Sequence, residues 1–211
     1  MVLISHEYKF IYLKTFKTCS SSTYQFFAQF IKPGINTQKE SYFGEKGIVG
    51  CCKEVRNPEK YGQHITALDV KRKLGDEIFN SYFKFTIIRN PYDKLVSRFN
   101  HDGGFRKFKT FKDYYTNFQP HKHTTFEENW KVYTINDNPV VDDYIMFENL
   151  VSDYNKIIKK IGIKKNIIYK DIPKIRVNEK LNYRKFYNRE NIEDVTKGMK
   201  KEIDFFNYLF F

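Results

Sequence analysis

A stretch near the N-terminus, KFIYLKTFKTCSSSTY at residues 9–24, has the residue types of an anion-binding loop. A short apolar run leads into Lys14 and Lys17, then into a cluster of hydroxyl side chains and a segment of helical character. Ammonium groups, hydroxyls and backbone N–H groups at the positive end of a helix dipole suit a phosphate-like group. The stretch therefore predicts a strand, an anion-binding loop and a helix, with these hydroxyl residues in the loop or next to it: Thr18, Ser20, Ser21, Ser22 and Thr23.

A second segment, TIIRNPYDKLVSRF, has a cation where a predicted strand ends. Arg89 follows the strand, and Ser97 lies eight residues further on, inside the next helix. Two helical turns bring Ser97 within reach of an anion that Arg89 holds, and a guanidinium group makes bidentate hydrogen bonds to phosphate. A surface arginine and a helix serine would explain either residue alone. Together with the first loop, the pair predicts a site for a terminal phosphate.

The first loop differs from the phosphate loop of ordinary kinases and ATPases. That loop needs the pattern GxxxxGK[ST], whereas residues 9–24 contain no glycine and Lys17 precedes the small residues. This order disfavours a Walker-type loop. A nucleotide kinase with a degenerate phosphate loop, which would bind ATP with Mg²⁺, remains an alternative. A polar turn capped by a serine is the simplest alternative without a function.

Apolar patterning predicts an α/β fold in which strands alternate with helices. Strands are expected at 9–15, 82–89 and 143–148, and helices at 20–31, 64–75, 91–99, 149–162 and 190–207. The alternation predicts a central parallel sheet flanked by helices. Ligands of such folds bind at the carboxyl ends of the strands, where the first loop and Arg89 both fall. Residues 34–62 and 101–139 are expected to be a long irregular loop and a variable insertion.

The length and charge of the chain limit its class. At 211 residues it is expected to form one domain, residues 1–211. The formal net charge of +12 favours polyanionic partners, and the aromatic residues, 18% of the chain, could stack on bases. A basic nucleic-acid-binding domain is therefore an alternative, although the charge is spread along the chain and no recognised nucleic-acid motif occurs. A solvated lysine-rich surface explains the charge equally well.

Cysteine usage and the N-terminal residues predict the compartment. Three cysteines, Cys19, Cys51 and Cys52, are an odd number without zinc-site spacing, so neither a disulfide framework nor a metal site is expected. The first residues, MVLISHEYKF, are neither a signal peptide nor an anchor. No apolar stretch reaches the roughly 18 residues that a transmembrane helix needs. A cytoplasmic location is the expectation.

The two motifs together resemble those of the membrane-type, carbohydrate class of sulfotransferases, the sulfotransferase family 2-like proteins. LKTFKTCSSST is similar to their 5′-phosphosulfate loop, commonly PKTGGTS, and most similar to the LKTHKTASST version in galactose 3-O-sulfotransferases. FKFTIIRNPYDKLVSRF resembles their 3′-phosphate segment, FxFVRNPxxRLVSxY. The likeness continues through residues 64–75, 140–163 and 182–208, with 101–139 as the clearest gap. Phe16 stands where the galactose branch has histidine, and Cys19 and Ser20 replace a frequent Gly or Ala pair.

The resemblance implies a P-loop-NTPase-like sulfotransferase fold and a reaction. A sulfuryl group would pass from 3′-phosphoadenosine-5′-phosphosulfate (PAPS) to a hydroxyl of a carbohydrate, with 3′-phosphoadenosine-5′-phosphate (PAP) as the product and no metal involved. The basic charge is compatible with an anionic glycan, and a neutral sugar, a lipid-linked sugar or a tyrosine remains an alternative acceptor. Lys17 would contact the sulfuryl group and the bridging oxygen, with Lys14 assisting. Arg89 and Ser97 would bind the 3′-phosphate. The residues implied for the 5′-phosphate are Thr18, Cys19, Ser20, Ser21 and Ser22, and the pair implied to close over the nucleotide is Tyr183 and Arg184.

Sulfuryl transfer needs a base that takes the proton of the acceptor hydroxyl, and histidine has a suitable pKa. Among five histidines, His64 is the expected base because QHITALDV resembles the region with the catalytic histidine in uronyl 2-O-sulfotransferases. It is expected to open the helix at 64–75, where a capping role is the alternative. His101 is the reserve candidate. His121 and His123 lack an evident third ligand for a metal.

Overall fold

The computed structural model describes residues 1–50, 61–62, 64–117, 128–173 and 182–210. They fall into two compact units. The first is Met1–Ile88 with Lys131–Val177, and the second is Arg89–Trp130 with Asn178–Phe211. The expected single domain over the whole chain stays a prediction. Four residues of the sequence analysis lie outside the described residues: Cys51, Cys52, His121 and His123.

The strands contain mainly β-branched and aromatic residues, as pleated, buried segments do. In chain order they are β1 (Val2–Ser5), β2 (Phe10–Leu13), β3 (Tyr42–Gly44), β4 (Gly47–Val49), β5 (Phe83–Ile88), β6 (Thr134–Ile135), β7 (Asn138–Pro139) and β8 (Asp143–Met146). Within the described part of the chain, six of them form one sheet in the order β3-β4-β1-β2-β5-β8, and β6 pairs with β7. All three predicted strands are therefore present, at slightly shorter lengths.

The α/β class is confirmed, but the sheet is mixed rather than wholly parallel. β2, β5 and β8 are parallel neighbours, whereas β1, β3 and β4 pair antiparallel. The reason is local, because only residues 6–9 separate β1 from β2. A parallel connection needs a crossover of about a dozen residues or more, so two strands this close must form a hairpin. The apolar Val2–Ile4 run was the available signal for β1.

Helices flank the sheet in the first unit and make up most of the second. They are α1 (Ser20–Ala28), α2 (Ala67–Leu74), α3 (Asp76–Ser81), α4 (Pro91–His101), α5 (Phe111–Asn117), α6 (Glu128–Tyr133), α7 (Leu150–Lys160), α8 (Arg189–Gly198) and α9 (Lys200–Phe206). Short 3-10 turns occur at Gly104–Arg106, Phe147–Asn149, Tyr169–Asp171 and Tyr183–Phe186. No helix of the described ranges is long and apolar enough to cross a membrane.

Three sequence predictions of elements were wrong in detail. The helix expected at 190–207 is two helices, because the chain leaves helical geometry at Met199 (φ −111°) after Gly198. The segment 34–62 is not simply irregular, since it contains the β3–β4 hairpin. The described parts of 101–139 contain α5, α6 and the β6–β7 hairpin. In the first of these segments, Gly44 and Gly47 are paired residues of the hairpin.

The core of the first unit is aromatic. The register pairs Tyr12 with Phe85, so their rings lie on the same face of the sheet. Phe27 of α1 packs there, with its ring centroid 4.8 Å from that of Phe85, and Tyr154 of α7 lies 5.5 Å from Phe27. Such pairs add stability beyond the area they bury. Because β2 and α1 share this core, the loop that joins them is held at both ends.

The core of the second unit is built on α4. Apolar residues at the spacing of one helix face are buried along it: Tyr92, Leu95, Val96 and Phe99. The helix begins as predicted, with Pro91 in its first turn and Asn90 as the cap, whose side chain accepts a hydrogen bond from the Tyr92 N–H at 3.0 Å. The position of Arg89, directly before this cap, is therefore set by strong local signals.

Candidate active site

Two buried threonines connect β2 and β5 at the point where the first loop leaves the sheet. The Thr86 hydroxyl donates a hydrogen bond to the Leu13 carbonyl at 2.7 Å, and the Thr15 hydroxyl donates to the Ile87 carbonyl. Both threonines are fully buried, where a polar group needs a partner. These bonds tie the carboxyl ends of the parallel strands β2 and β5 together. The loop therefore leaves the sheet from a fixed point.

Thr15 also accepts hydrogen bonds from two residues of the loop. Its Oγ1 lies 2.8 Å from Oγ1 of Thr18, and the Ser20 hydroxyl donates to the Thr15 carbonyl. Since the Thr15 proton is already directed to Ile87, Thr18 must be the donor to Thr15. The hydroxyl protons of Thr18 and Ser20 thus close the loop on itself. Sequence analysis missed Thr15, although it lies within the motif.

The loop adopts left-handed backbone conformations without glycine. Lys17 has φ 55° and Cys19 has φ 67°, a region that few residues other than glycine adopt. Cys19 precedes α1, and its carbonyl accepts hydrogen bonds from the N–H groups of Ser22 and Thr23 at 3.0 and 3.2 Å. Such conformations cost about 1 kcal/mol or more each and persist where the surroundings enforce them. The frequent Gly or Ala position of related loops is therefore occupied here by Cys19 in the left-handed form.

The start of α1 can attract an anion. The helix has nine residues and no acidic side chain in its first turn, so the partial positive charge of its N-terminus is not neutralised there. Ser20 and Ser22 are buried and Ser21 is half-buried. Lys14 is nearly buried, with 6% exposure, and Lys17 is half-buried. Such a set of groups suits an anion such as a phosphate.

A buried hydroxyl chain supports this turn from α7. The Tyr154 hydroxyl donates to Thr23 Oγ1 at 2.8 Å, and the Thr23 hydroxyl donates to the Cys19 carbonyl at 3.2 Å. Burial raises the pKa of Tyr154, so its hydroxyl stays protonated and keeps donating. Thr23 was among the hydroxyl residues expected at the loop, but its link to Tyr154 was not predicted, because 131 positions separate the two residues and nothing local connects them.

His64 contacts the same loop. Its Nδ1 lies 3.0 Å from the Lys14 carbonyl oxygen. A carbonyl can only accept, so Nδ1 carries the proton and donates it. In the neutral imidazole this leaves Nε2 as the nitrogen with the lone pair. The ring of His64 stacks on that of Phe16, with an angle of 17° between the planes.

The prediction that His64 opens the helix was wrong, and so was its alternative role as a cap. α2 begins at Ala67, and Thr66 caps it: the Thr66 hydroxyl oxygen accepts the Asp69 N–H at 3.2 Å, and the hydroxyl donates to the Asp69 carboxylate at 2.7 Å. This Thr-x-x-Asp pattern is a capping box with Asp in place of Glu. It was visible in the sequence and gives the true start. His64 instead lies before the helix with φ 50°.

In the second unit, Arg89 is held by a carboxylate. Its Nε and Nη2 donate to the two oxygens of Asp93, each at 2.8 Å, and both side chains are mostly buried, with 15% and 18% exposure. Two such bonds use two of the five N–H donors of the guanidinium group. Ser97 lies one turn beyond Asp93 on the same face of α4. Sequence analysis did not single out Asp93.

The Tyr183–Arg184 element belongs to the same unit as Arg89 and Ser97. It is a 3-10 turn whose cap, Asn182, accepts the Arg184 N–H at 3.1 Å. The exposed Arg184 guanidinium lies over the Tyr183 ring, 5.3 Å from its centroid. The turn is joined to α4 because the Tyr187 hydroxyl donates to the Tyr92 carbonyl at 2.9 Å. This unit therefore holds the predicted 3′-phosphate residues and the predicted closing element together.

The remaining candidates are the reserve base, His101, and a metal site. His101 is the last residue of α4, ten residues beyond its first and so about 15 Å along the helix from it. Among the residues described, no group of three or more His, Cys, Asp and Glu side chains could hold a metal ion.

A family model described as the sulfotransferase family matches residues 1–208. The chain belongs to the sulfotransferase family. The resemblance seen in the two motifs is thereby confirmed over nearly the whole sulfotransferase, and the family supports sulfuryl transfer as its class of reaction. An uncharacterized protein from Archaeoglobus fulgidus is 29% identical in an alignment of 126 residues that covers 55% of this chain and 94% of that protein. No solved structure matches.

Proposed function

We propose that this sulfotransferase moves a sulfuryl group from PAPS to a hydroxyl group of a carbohydrate. The observation that carries the proposal is the turn between β2 and α1. There, Lys17 has a left-handed backbone and is followed by a helix N-terminus without acidic side chains. A lysine beside a helix N-terminus suits a leaving group that gains negative charge on its phosphate oxygen. The choice of PAPS as donor and of a carbohydrate as acceptor is supported by the resemblance of the two motifs to those of the carbohydrate class of sulfotransferases.

On the 5′ side of the donor, Lys17 contacts the bridging oxygen, and Lys14 assists. The 5′-phosphate is bound by the turn residues Thr18, Cys19, Ser20, Ser21 and Ser22. Because the hydroxyl protons of Thr18 and Ser20 are directed to Thr15, these two residues contribute backbone N–H groups rather than hydroxyl donors. On the 3′ side, Arg89 and Ser97 bind the phosphate, and Tyr183 with Arg184 closes over the nucleotide.

The chemistry is a single in-line displacement. Nε2 of His64 takes the proton of the acceptor hydroxyl, since its Nδ1 already donates to Lys14. The acceptor oxygen forms a bond to sulfur as the bond from sulfur to the 5′-phosphate oxygen breaks. The leaving PAP keeps that electron pair, and the Lys17 ammonium group stabilises the charge. Nothing in this scheme requires a metal.

Calorimetry with PAP tests the donor site first. We expect micromolar affinity for PAP and much weaker binding of adenosine 5′-phosphate, because only PAP has a 3′-phosphate for Arg89. ATP with Mg²⁺ is the control for the kinase alternative. A preference for ATP·Mg²⁺, or no binding of PAP, would overturn the proposal. Transfer from PAPS to desulfated heparin and to β-galactosides then tests the carbohydrate acceptor, and transfer to neither would contradict that assignment.

A further inference from the structure

The ring of Phe16 lies against the ring of His64. The planes of the two rings differ by 17°, so the rings are stacked. Phe16 is the residue immediately before Lys17, and both side chains are half-buried. The loop that carries the leaving-group lysine therefore also touches the proposed base through an aromatic ring.

Two contacts on one imidazole restrict it in different ways. The hydrogen bond from Nδ1 to the Lys14 carbonyl selects the tautomer, but only while the ring keeps the orientation in which Nδ1 faces that carbonyl. A stacked neighbour holds that orientation, because rotation of the imidazole about its Cβ–Cγ bond would drive the ring edge into the face of Phe16. Both contacts come from residues 14–16 of the same loop.

The backbone of His64 gives a further reason why such contacts are needed. With φ 50°, His64 is in a conformation that is unfavourable for a residue with a side chain. Conformations of this kind persist where surrounding contacts enforce them, and they concentrate at functional sites. His64 also lies outside α2, which begins at Ala67.

We propose that Phe16 is a positioning residue for the base. Its ring holds the imidazole of His64 in the plane in which Nδ1–H faces the Lys14 carbonyl and Nε2 is turned toward the acceptor hydroxyl. The inference rests on the proposed function, in which His64 takes the proton. A displacement of about 1 Å in a reacting group can cost about 100-fold in rate, so an aromatic neighbour that prevents ring rotation has a large effect on turnover.

Nitrogen-15 NMR of the imidazole in the full chain tests the inference without any substrate. In the wild type we expect a protonated Nδ1 and an unprotonated Nε2 for His64, identified by comparison with His64→Ala. Phe16→Leu should give a mixture of tautomers, whereas Phe16→Tyr, which keeps the stack, should retain the wild-type pattern. Phe205→Leu, at an exposed phenylalanine of α9, is the matched control. An unchanged His64 pattern in Phe16→Leu would overturn the proposal.

Kinetics supply the second readout, with PAPS as donor and desulfated heparin as acceptor probe. Phe16→Leu should lower kcat about 10- to 100-fold while the KM for PAPS and the affinity for PAP stay within about twofold, and Phe16→Tyr should restore kcat. Equal kcat in Phe16→Leu and wild type would overturn the positioning role. If wild type neither binds PAP nor transfers a sulfuryl group, the proposed function fails, and the NMR comparison still decides whether Phe16 orders the ring.

Discussion

Lys17 is the residue on which the proposed chemistry depends most. It has a left-handed backbone next to the start of α1, where its charge adds to that of the helix N-terminus. We expect Lys17→Ala to lower kcat about 100- to 1,000-fold, as removal of a charge-stabilising donor does. Binding of PAP should weaken much less. Turnover with PAPS and calorimetry with PAP measure the two effects separately.

The matched control for that change is Lys46→Ala. Lys46 is an exposed lysine in the turn between β3 and β4 of the same unit, so the substitution removes the same charge without touching the loop. We expect kcat within about twofold of wild type. Equal losses of activity in both lysine variants would show that the net charge of the protein matters, and would contradict a specific role of Lys17.

Arg89 should determine the preference for a 3′-phosphate. Its guanidinium group is held in a defined orientation by two bonds to Asp93, which suits bidentate recognition of a phosphate. We expect Arg89→Ala to weaken PAP binding at least about tenfold and to leave binding of adenosine 5′-phosphate nearly unchanged. Calorimetry with the two nucleotides measures the difference. Equal losses for both ligands would contradict a role at the 3′-phosphate.

A double variant separates the recognition of the 3′-phosphate from the effect of Arg89 on protein stability. Arg89→Ala alone leaves Asp93 without the partner that both of its oxygens contact, at a position with 18% exposure, so it should also reduce stability. Arg89→Ala with Asp93→Asn removes that unpaired charge. We expect the double variant to recover thermal stability but not the preference for PAP. Recovery of both would mean that the arginine acts through folding alone.

At the scale of elements, a buried ion pair joins α4 to α9. Lys94 and Glu202 form a salt bridge in which the side chains have only 7% and 6% exposure. Removing one partner of such a pair leaves an uncompensated charge and costs about 3–5 kcal/mol, whereas replacing both by apolar residues is nearly neutral. We expect Lys94→Met to be strongly destabilised and Lys94→Met/Glu202→Leu to recover most of the loss. Urea unfolding measures both.

An exposed ion pair provides the comparison. Arg189 and Glu193 pair on α8 with side-chain exposures of 95% and 68%, where solvent screens the charges. Arg189→Met should change the free energy of unfolding little. A loss of stability as large as that of Lys94→Met would show that burial does not determine how much an ion pair contributes to the free energy of unfolding.

Asp143 connects β8 to α7 and makes stability depend on pH. Burial alone would raise the pKa of its carboxyl, but hydrogen bonds from Lys156, Lys160 and the Tyr144 N–H lower the pKa overall. A lowered pKa stabilises the folded state above the unfolded value of about 4, and the stabilisation is lost as pH falls through the folded pKa. Asp143→Asn should therefore be less stable than wild type at pH 7.

The difference in stability between the wild type and Asp143→Asn should become smaller at acidic pH. Urea unfolding at several pH values between about 7 and about 2 measures it, and we expect the difference to shrink below about pH 4. A difference that stays constant over this range would mean that the charge of Asp143 does not carry the effect.

At the scale of the whole molecule, the burial of aromatic residues bears on the nucleic-acid alternative. Many rings that could have stacked on bases lie in the cores of the two units: Phe10, Tyr12, Tyr24, Phe26, Phe27, Phe85, Phe99, Phe111 and Tyr114. Stacking on nucleic acid needs exposed rings. The high aromatic content is therefore explained in good part by packing, and the net charge of +12 remains the main feature that attracts polyanions.

We accordingly expect only non-specific binding of duplex DNA. Its Kd should be about 10⁻⁴ to 10⁻⁶ M at physiological salt and should rise steeply with salt concentration. Saturating PAP should leave it unchanged, since the charge is spread over the surface. Fluorescence anisotropy with a labelled duplex, with and without PAP, measures this. Sub-micromolar binding that persists at high salt would favour the nucleic-acid function.

The sequence by itself determined the parts of this protein that depend on neighbouring residues. The order of strand, loop and helix around Lys17 was predictable from a short apolar run followed by hydroxyl residues. The start of α4 was predictable from Asn90 and Pro91, and the end of α2 from Gly75, which caps it with φ 81°. Arg89 and Asp93 are only four positions apart in the sequence, so their ion pair is a local contact as well.

Tertiary structure alone decided which distant residues meet at the loop. The stack of Phe16 on His64, the bond from Thr15 to Ile87 and the chain from Tyr154 to Cys19 join positions that lie dozens of residues apart. Each of these contacts depends on how strands and helices pack, and packing is set by the shape of the whole core rather than by the residues next in sequence. The types of group in the site are therefore local properties, whereas their arrangement belongs to the fold.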